Sequence, residues 1–158
     1  MLMAGLSAMA QGGATTEKKT FSRTTTVSNA INADAPIIWA LLTNAADFSR
    51  WNSTVIAIDG NIQTGEKIKL KSTLDPNRTF KLKVKEMVPD QKMVWGDAMG
   101  QRTYTLEQSG AATRFTMSEK IGGLMFPLFA NKIPPFDEVF NQFAADLKKE
   151  AEVIASSK

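Results

Sequence analysis

The stretch at positions 134–156 most constrains the fold, because no other segment is long and amphipathic enough to cover a sheet. Apolar residues recur there at intervals of three, four and seven positions, as on one face of an α-helix. These residues are Phe136, Val139, Phe140, Phe143, Leu147, Ala151 and Ile154. Asp137 and Glu138 near the start, and Lys148 and Lys149 toward the end, agree with the helix dipole. We therefore predict a long C-terminal helix, beginning at Pro134, that lays an apolar stripe on a core.

The middle of the chain alternates apolar and polar residues with period two, the pattern of strands that have one face in water. Short turns rich in Gly, Pro, Asn and Asp divide it between Val55 and Ile121, which predicts an antiparallel meander of about six strands. A β-branched stretch at 20–31 precedes it and predicts the first strand. Asp34 as N-cap and Pro36 in the first turn predict a short helix, and a second short helix leads to Trp51.

These elements predict an α+β fold in which a curled antiparallel sheet of about seven strands wraps around the long C-terminal helix. Two short helices follow the first strand. We expect a single domain over residues 20–156 and a leader over residues 1–19. The leader is either disordered or the remnant of an export signal, because Ala8-Met9-Ala10 has the small-x-small form of a cleavage site but no basic residue precedes it. Cytoplasmic location is the first expectation, and export is the alternative.

The absence of cysteine and histidine excludes thiol nucleophiles, histidine general bases and nearly every transition-metal site. We therefore predict no metal and no cofactor. The net charge of +3 is too small to indicate nucleic-acid binding without a concentrated basic patch. No apolar run approaches the roughly 18 residues of a membrane span. The oligomeric state stays open.

Six motifs, distributed from about Thr20 to Ser156, are fairly specific together although each is weak alone. They are Ala33-Asp34-Ala35-Pro36-Ile37-Ile38-Trp39-Ala40-Leu41-Leu42, Arg50-Trp51-Asn52, Pro89-Asp90-Gln91-Lys92-Met93-Val94-Trp95, Gly110-Ala111-Ala112-Thr113-Arg114-Phe115, Glu119 and Gly122-Gly123. In this order they resemble the START-like, birch-pollen-allergen-like (SRPBCC) superfamily, which includes bacterial polyketide cyclase/dehydrase and lipid-transport proteins. The resemblance implies a helix-grip fold with a cavity between sheet and last helix for a lipid, isoprenoid, aromatic or polyketide-like molecule.

Strand alternation places three polar side chains inside the sheet, namely Arg102, Tyr104 and Glu119. Because a buried charge needs a partner of opposite sign or a ligand, we expect Arg102 to pair with Glu119. Two interpretations remain open. The pair is either a structural strut, or Arg102 binds a carboxylate, carbonyl or enolate while Tyr104 donates a hydrogen bond or a proton.

Aromatic, aliphatic and thioether side chains are the expected apolar walls of the cavity, and plain core is their alternative role. These residues are Trp51, Phe80, Leu82, Trp95, Met99, Phe115, Met117, Phe126, Phe136 and Phe140. Phe136, Phe140 and Phe143 are expected to roof the cavity mouth, while the Leu147–Ile154 half of the helix packs on the sheet. Glu86 and Asp97 join Glu119 and Tyr104 as candidate acid-base groups.

The segment 122–131 is apolar but interrupted by Gly and Pro, which predicts a mobile flap or a short buried turn of helix. Alternation also gives two neighbouring strands a face of six lysines. They are Lys67, Lys69, Lys71, Lys81, Lys83 and Lys85. Such a face usually serves solubility and protects strand edges, and weak contact with an anionic membrane is the minority interpretation.

A binding or carrier protein for a small hydrophobic ligand needs only shape and apolar lining, which the sequence supplies. A cyclase or dehydratase needs a poised proton donor and acceptor, and no pair of candidates has a spacing that demands catalysis. We therefore favour binding over catalysis. A third hypothesis, a protein-interaction domain related to chaperone cofactors of the same fold, would require an exposed apolar groove without a closed cavity.

Overall fold

The computed structural model describes residues 13–158, in which eight antiparallel strands form one curled sheet. The strands are β1 (Thr15–Lys18), β2 (Ser22–Ile31), β3 (Val55–Asp59), β4 (Lys67–Ser72), β5 (Phe80–Val88), β6 (Lys92–Gly96), β7 (Gly100–Ser109) and β8 (Ala112–Gly122). Their order across the sheet is β1-β2-β8-β7-β6-β5-β4-β3. Each strand from β3 to β7 therefore pairs with the next along the chain, as the turn pattern predicts.

The helices are α1 (Ala35–Thr43), α2 (Phe48–Trp51), α3 (Phe126–Phe129) and α4 (Asp137–Ser156). Single turns of 3-10 helix at Ala45–Asp47 and Ala130–Lys132 lead into and out of the short ones. α1 and α2 connect β2 to β3, and α4 packs on the inner face of the sheet. The predicted α+β helix-grip architecture is confirmed.

The first strand, β1, lies in the segment that the sequence analysis assigned to a leader. It pairs with β2 at the sheet edge, where Thr16 Oγ1 lies 3.0 Å from Thr25 Oγ1 and donates to Asp137 Oδ1 at 2.9 Å. The sheet consequently has eight strands rather than about seven, and it begins before residue 20. The Ala8-Met9-Ala10 signal lies outside the described residues, and export stays a prediction.

The long helix begins three residues later than predicted, at Asp137 rather than Pro134. The residue before a proline avoids helical backbone angles, which disfavours helix at Pro134 because Pro135 follows it. In addition, the guanidinium of Arg23 donates to the carbonyl oxygens of Ile133 and Pro134 at 3.1 and 2.8 Å. The segment before α4 is therefore fastened to β2.

A β-bulge in β5 overturns the predicted inward position of Glu86. Val84 pairs with Trp95 and Glu86 pairs with Val94, so that Lys85 is an extra residue and the alternation of faces reverses. Glu86 is exposed and lies 3.3 Å from Lys92 Nζ. A carboxylate in water next to a lysine has no access to the interior, and Glu86 is no acid-base candidate there.

Phe143 is the centre of the packing between α4 and the sheet. Its ring centroid lies 5.9 to 6.2 Å from those of four other aromatic side chains. They are Phe48, Trp51, Tyr104 and Phe115. Leu147 and Ala151, farther along the same helix face, are fully buried. Because Phe143 is in the core, the expectation that it roofs the cavity mouth is wrong.

Two buried asparagines hold the middle of α4 from opposite sides. Asn29 on β2 donates through Nδ2 to the carbonyl oxygen of Ala144 at 3.0 Å, and Asn52 after α2 donates to that of Phe143 at 3.4 Å. Asn52 Oδ1 also accepts from the backbone N–H and hydroxyl of Thr54. These bonds fix the position of the helix along the sheet as well as its depth.

We predict that Leu147→Ala lowers the free energy of unfolding by about 2–5 kcal/mol, because it leaves a void under the fully buried part of α4. Val153→Ala is the matched control, since Val153 is 58% exposed on the same helix and its truncation should change stability by less than about 0.5 kcal/mol. Urea denaturation followed by circular dichroism measures both. Equal losses would contradict the assigned packing face.

Candidate ligand-binding site

A cavity of about 170 Å³ opens where α4 starts, between the inner face of β4–β8, the β4–β5 turn and residues 132–136. The apolar part of its wall comes from alternate residues of the strands and from the segment before α4. These residues are Leu70, Leu74, Phe80, Leu82, Trp95, Met99, Ile121, Ile133, Pro134 and Phe136. The cavity is smaller than the roughly 300–1,000 Å³ of most ligand sites, yet an apolar void of roughly 150 Å³ accommodates benzene.

Seven of the thirteen predicted site residues line this cavity. They are Phe80, Leu82, Trp95, Met99, Arg102, Glu119 and Phe136. Six others do not. Trp51 packs on Phe48 and Phe143, and Phe126 is the buried first residue of α3. Tyr104, Phe115, Met117 and Phe140 are fully or almost fully buried in the core.

The cavity also contains residues that the alternation pattern did not identify as site residues. Asp75 and Arg78 come from the β4–β5 turn, and Lys132 comes from the turn after α3. Turns carry no period that shows which way a side chain points, so only the three-dimensional arrangement reveals them. Gly96 lines the cavity as well, and any Cβ at that position would collide with the carbonyl oxygen of Gly100.

The expected ion pair between Arg102 and Glu119 is present on the cavity wall. Arg102 on β7 and Glu119 on β8 are direct neighbours across the strands, and Arg102 Nε donates to Glu119 Oε1 at 2.8 Å. Their side chains are only 12% and 18% exposed. The Arg102 guanidinium also lies 5.1 Å from the centroid of the Phe140 ring, so that Phe140 supports the pair from behind.

Most of the hydrogen-bonding capacity of Arg102 is unused within the described residues. A guanidinium has five N–H donors; Nε donates to Glu119, and the Tyr104 hydroxyl lies close enough to interact with the same guanidinium. Burial lowers the pKa of Arg102, but the adjacent Glu119 carboxylate and the Tyr104 phenol together outweigh it, so that the pKa is raised overall and the cation persists. The cavity wall therefore presents a permanent cation with spare donors.

Tyr104 lies beside Arg102 in the interior, and its hydroxyl makes no hydrogen bond of normal geometry within residues 13–158. Burial raises the pKa of Tyr104 to about 12, and the nearby Arg102 cation opposes part of that rise. The phenol is thus neutral at physiological pH. Because it does not reach the cavity surface, the proposed hydrogen bond from Tyr104 to a ligand has no support in this arrangement.

Asp97, another candidate acid-base group, borders the cavity but is engaged in the β6–β7 turn. Its Oδ1 accepts hydrogen bonds from the backbone N–H groups of Met99 and Gly100 at 2.8 and 3.0 Å. This carboxylate holds the turn that carries Met99 to the cavity mouth. Its role is therefore to position that turn.

The mouth of the cavity has a balanced set of charges. Arg78 and Lys132 provide two cations, while Asp75 and Asp97 provide two anions. Arg78 stacks on the ring of Phe80 at 4.6 Å, which places its charge at the rim of the apolar wall. The mouth is polar without a strong preference for either sign.

Arg23 closes one side of the site from β2. Besides its two hydrogen bonds to the carbonyl oxygens of Ile133 and Pro134, it lies 4.9 Å from the centroid of the Phe136 ring. Phe136 in turn stacks on Phe140 at 5.8 Å. Arg23 thus fastens the roof of the cavity to β2.

A family model described as Activator of Hsp90 ATPase homolog 1-like protein matches residues 32–152 of the chain. The chain belongs to this family. The matched range contains α1, the meander, the cavity and nearly all of α4. Comparison with curated proteins gave no match.

Solved structures share the fold of this family member at low identity. The START superfamily protein from Mycobacterium smegmatis has 11% identity and a TM-score of 0.61, over 83% of this chain and 98% of that one. The Aha1 dimer from Colwellia psychrerythraea has 18% identity and a TM-score of 0.62, over 81% and 95%. DynU16, from the dynemicin biosynthetic locus, has 16% identity and a TM-score of 0.64, over 84% and 48%. These likenesses establish the START-like fold.

Two further findings concern residues 13–158 alone. They contain no group of three or more carboxylate, histidine or cysteine side chains placed to hold a metal ion. None of the four helices is both long and apolar enough to cross a membrane.

We predict that the single tyrosine, Tyr104, ionises near pH 12 in the folded protein and near pH 10 after unfolding. Since the folded state favours the neutral phenol, the related stability is complete below pH 10 and is lost as the pH rises toward 12. Tyrosinate absorbance during a rapid alkaline titration measures the ionisation without interference from another tyrosine. Ionisation of the folded protein near pH 10 would contradict the buried position.

Proposed function

We propose that this protein binds a small hydrophobic or amphipathic molecule whose oxygen atom accepts hydrogen bonds from Arg102 at the inner wall of the cavity. The observation that carries the proposal is a nearly buried guanidinium, paired with Glu119 and with donors to spare, on the wall of a mainly apolar cavity. Buried donors without partners cost free energy, and a charge-assisted bond to an oxygen removes that cost. A purely structural strut would not need an adjacent void.

The size and charge of the site narrow the ligand class. A cavity of about 170 Å³ takes a group near the size of one aromatic ring or a short branched chain. Any larger part of the molecule extends through the mouth between Arg78, Lys132 and Asp75. A ring-sized apolar body with a carbonyl or carboxylate oxygen, and a polar remainder at the mouth, therefore fits best.

Catalysis of a cyclase or dehydratase type is the second proposal, and the kinship of fold with a protein of the dynemicin locus is what suggests it. Such a reaction requires a group that gains or loses a proton at the ligand. Glu119 is the carboxylate that shares the inner wall, and its Oε1 is held by Arg102. Binding uses the site as it stands, whereas catalysis requires Glu119 to exchange a proton through an oxygen other than Oε1.

The third hypothesis, a protein-interaction domain, requires an exposed apolar groove without a closed cavity. The apolar void between sheet and α4 supports ligand binding over that alternative. Transport of the bound molecule extends the same proposal and needs a route in and out, for which the mouth beside α3 is the natural candidate.

The test compares three probes of similar size by isothermal titration calorimetry, namely benzoate, acetophenone and toluene. We expect the wild-type protein to bind the two oxygen-bearing probes about tenfold to a hundredfold more tightly than toluene, the range of one charge-assisted hydrogen bond. The double variant Arg102→Met/Glu119→Gln removes both charges and leaves no buried charge unpaired. It should bind all three probes with similar affinity.

Arg114→Met is the matched control, because Arg114 lies on the outer face of β8 and donates to Ser28 there. It should preserve the preference for oxygen-bearing probes. A double variant that keeps the preference, with an unchanged melting temperature, would refute the role of Arg102. Native mass spectrometry of freshly purified protein independently searches for a co-purified molecule and distinguishes an unsuitable probe from an empty site.

A further inference from the structure

Five of the large hydrophobic side chains that are exposed lie at one end of the molecule, which we name the apolar tip. It consists of Phe21, Met99, Leu124, Met125 and Leu128. Leu124, Leu128 and Met125 are 86%, 72% and 62% exposed, so that most of each side chain is in contact with water. Adjacent exposed apolar groups of this kind mark a site of interaction.

Backbone hydrogen bonds bring the tip together from three parts of the chain. The N–H of Gly122 donates to the carbonyl oxygen of Met99 at 2.9 Å, and that of Gly123 donates to that of Phe21 at 3.0 Å. The next residues are Leu124 and Met125, and α3 then carries Leu128. The side chain of Phe126 is the buried anchor of this segment. The buried ring of Phe126 thus anchors the segment, while the side chains of Leu124, Met125 and Leu128 are exposed.

Three lysines flank the apolar tip. Lys85 and Lys120 line a groove on the outer face of the sheet together with Phe21 and Met99. Lys132 follows α3 on the other side, at the cavity mouth. Asp97 is the one acidic residue of the groove, and its Oδ1 is occupied by two backbone N–H groups. The outward lysines of β4 and β5 extend the positive surface away from the tip.

We propose that the apolar tip docks this protein onto a membrane surface that contains anionic lipid, with Leu124, Met125 and Leu128 entering the headgroup boundary. Exposed aliphatic and thioether groups flanked by lysines match the two attractions of such a surface, apolar burial and negative potential. A protein partner fits less well, because three protruding side chains on one short turn provide little of the roughly 800 Å² that a stable interface needs on each side.

Docking would place the cavity mouth against the membrane. Met99 lines both the cavity and the outer groove, and α3 leads directly into the residues that roof the cavity. A sparingly soluble ligand could then pass between bilayer and cavity without crossing water. This consequence rests on the proposed ligand binding, whereas docking itself stands on the exposed residues and charges alone.

The first experiment measures co-sedimentation of the full chain with vesicles of phosphatidylcholine alone and of equal parts phosphatidylcholine and phosphatidylglycerol. We expect binding to the anionic vesicles and a decrease of about fivefold for each of Lys120→Gln and Lys132→Gln. The double variant Leu124→Ser/Leu128→Ser should lower binding by at least about tenfold. Because both leucines are exposed, these changes leave the core intact.

Val153→Ser and Lys69→Gln are the matched controls, since Val153 is an exposed apolar residue of α4 and Lys69 is an exposed lysine of β4. Both should bind vesicles within about twofold of the wild type. Absence of binding to either vesicle, or equal loss in the control variants, would overturn the proposal. Size-exclusion chromatography adds one more outcome, because a wild-type dimer that Leu124→Ser/Leu128→Ser converts to monomer, without vesicle binding, would assign the tip to a second copy.

A second measurement locates the tip directly. The variant Leu124→Trp places a new indole at the most exposed position, and lipids brominated in the acyl chain should quench its fluorescence, while Val153→Trp should show no added quenching. Equal quenching of both would contradict docking through the tip. The probe titrations on Leu124→Ser/Leu128→Ser separate the two proposals, because normal ligand affinity with lost vesicle binding leaves the cavity function intact.

Discussion

The contact of Phe143 with four aromatic side chains is the interaction on which the rest of the structure depends. It sits midway along the inner face of the sheet, and the carbonyl oxygens of Phe143 and Ala144 are held from both sides by Asn52 and Asn29. A polar side chain bonded to a helix carbonyl in the core constrains direction, which apolar packing alone does not. The helix therefore has one depth and one register, and its C-terminal half buries Leu147 and Ala151.

The same constraint explains why the void lies at the start of α4. Toward its C-terminus the helix packs closely on the inner face of the curled sheet. Before Asp137 the chain is not part of α4, and Arg23 donates hydrogen bonds to two of its carbonyl oxygens. The inner face of the sheet is left partly uncovered there, and Arg102 with Glu119 occupies it. A buried ion pair is costly unless its remaining donors find partners. Because this pair lies beside a void, a molecule that enters the void meets the donors of Arg102.

Alternation predicted most of the fold and the inner wall of the site, because the period of a strand depends only on backbone geometry. Arg102, Glu119, Trp95, Leu82 and Phe80 follow that rule. It failed at Glu86, where one extra residue reverses the faces, and no local pattern in Lys83-Val84-Lys85-Glu86 distinguishes a bulge from a regular strand. It also missed β1, whose short polar sequence becomes a strand only because β2 offers a free edge. Which apolar residues are core and which line the cavity depends on where α4 stops, and helix periodicity does not contain that information.

The exposed apolar tip and the buried Arg102–Glu119 pair lie in neighbouring parts of the chain. The tip places apolar groups in water, whereas the pair places charges in the interior. Gly122 and Gly123 end β8 and release the chain into a segment that buries only Phe126, so the hydrophobic groups on either side remain in water at a cost that the fold does not recover. Residues on both sides of this segment, Ile121 and Lys132, line the cavity, as does Met99. A surface that keeps apolar groups in water beside an apolar void is expected where a hydrophobic molecule crosses from one apolar environment to another. In the proposed docking, Lys120 and Lys132 would add the attraction of an anionic lipid surface to this apolar contact.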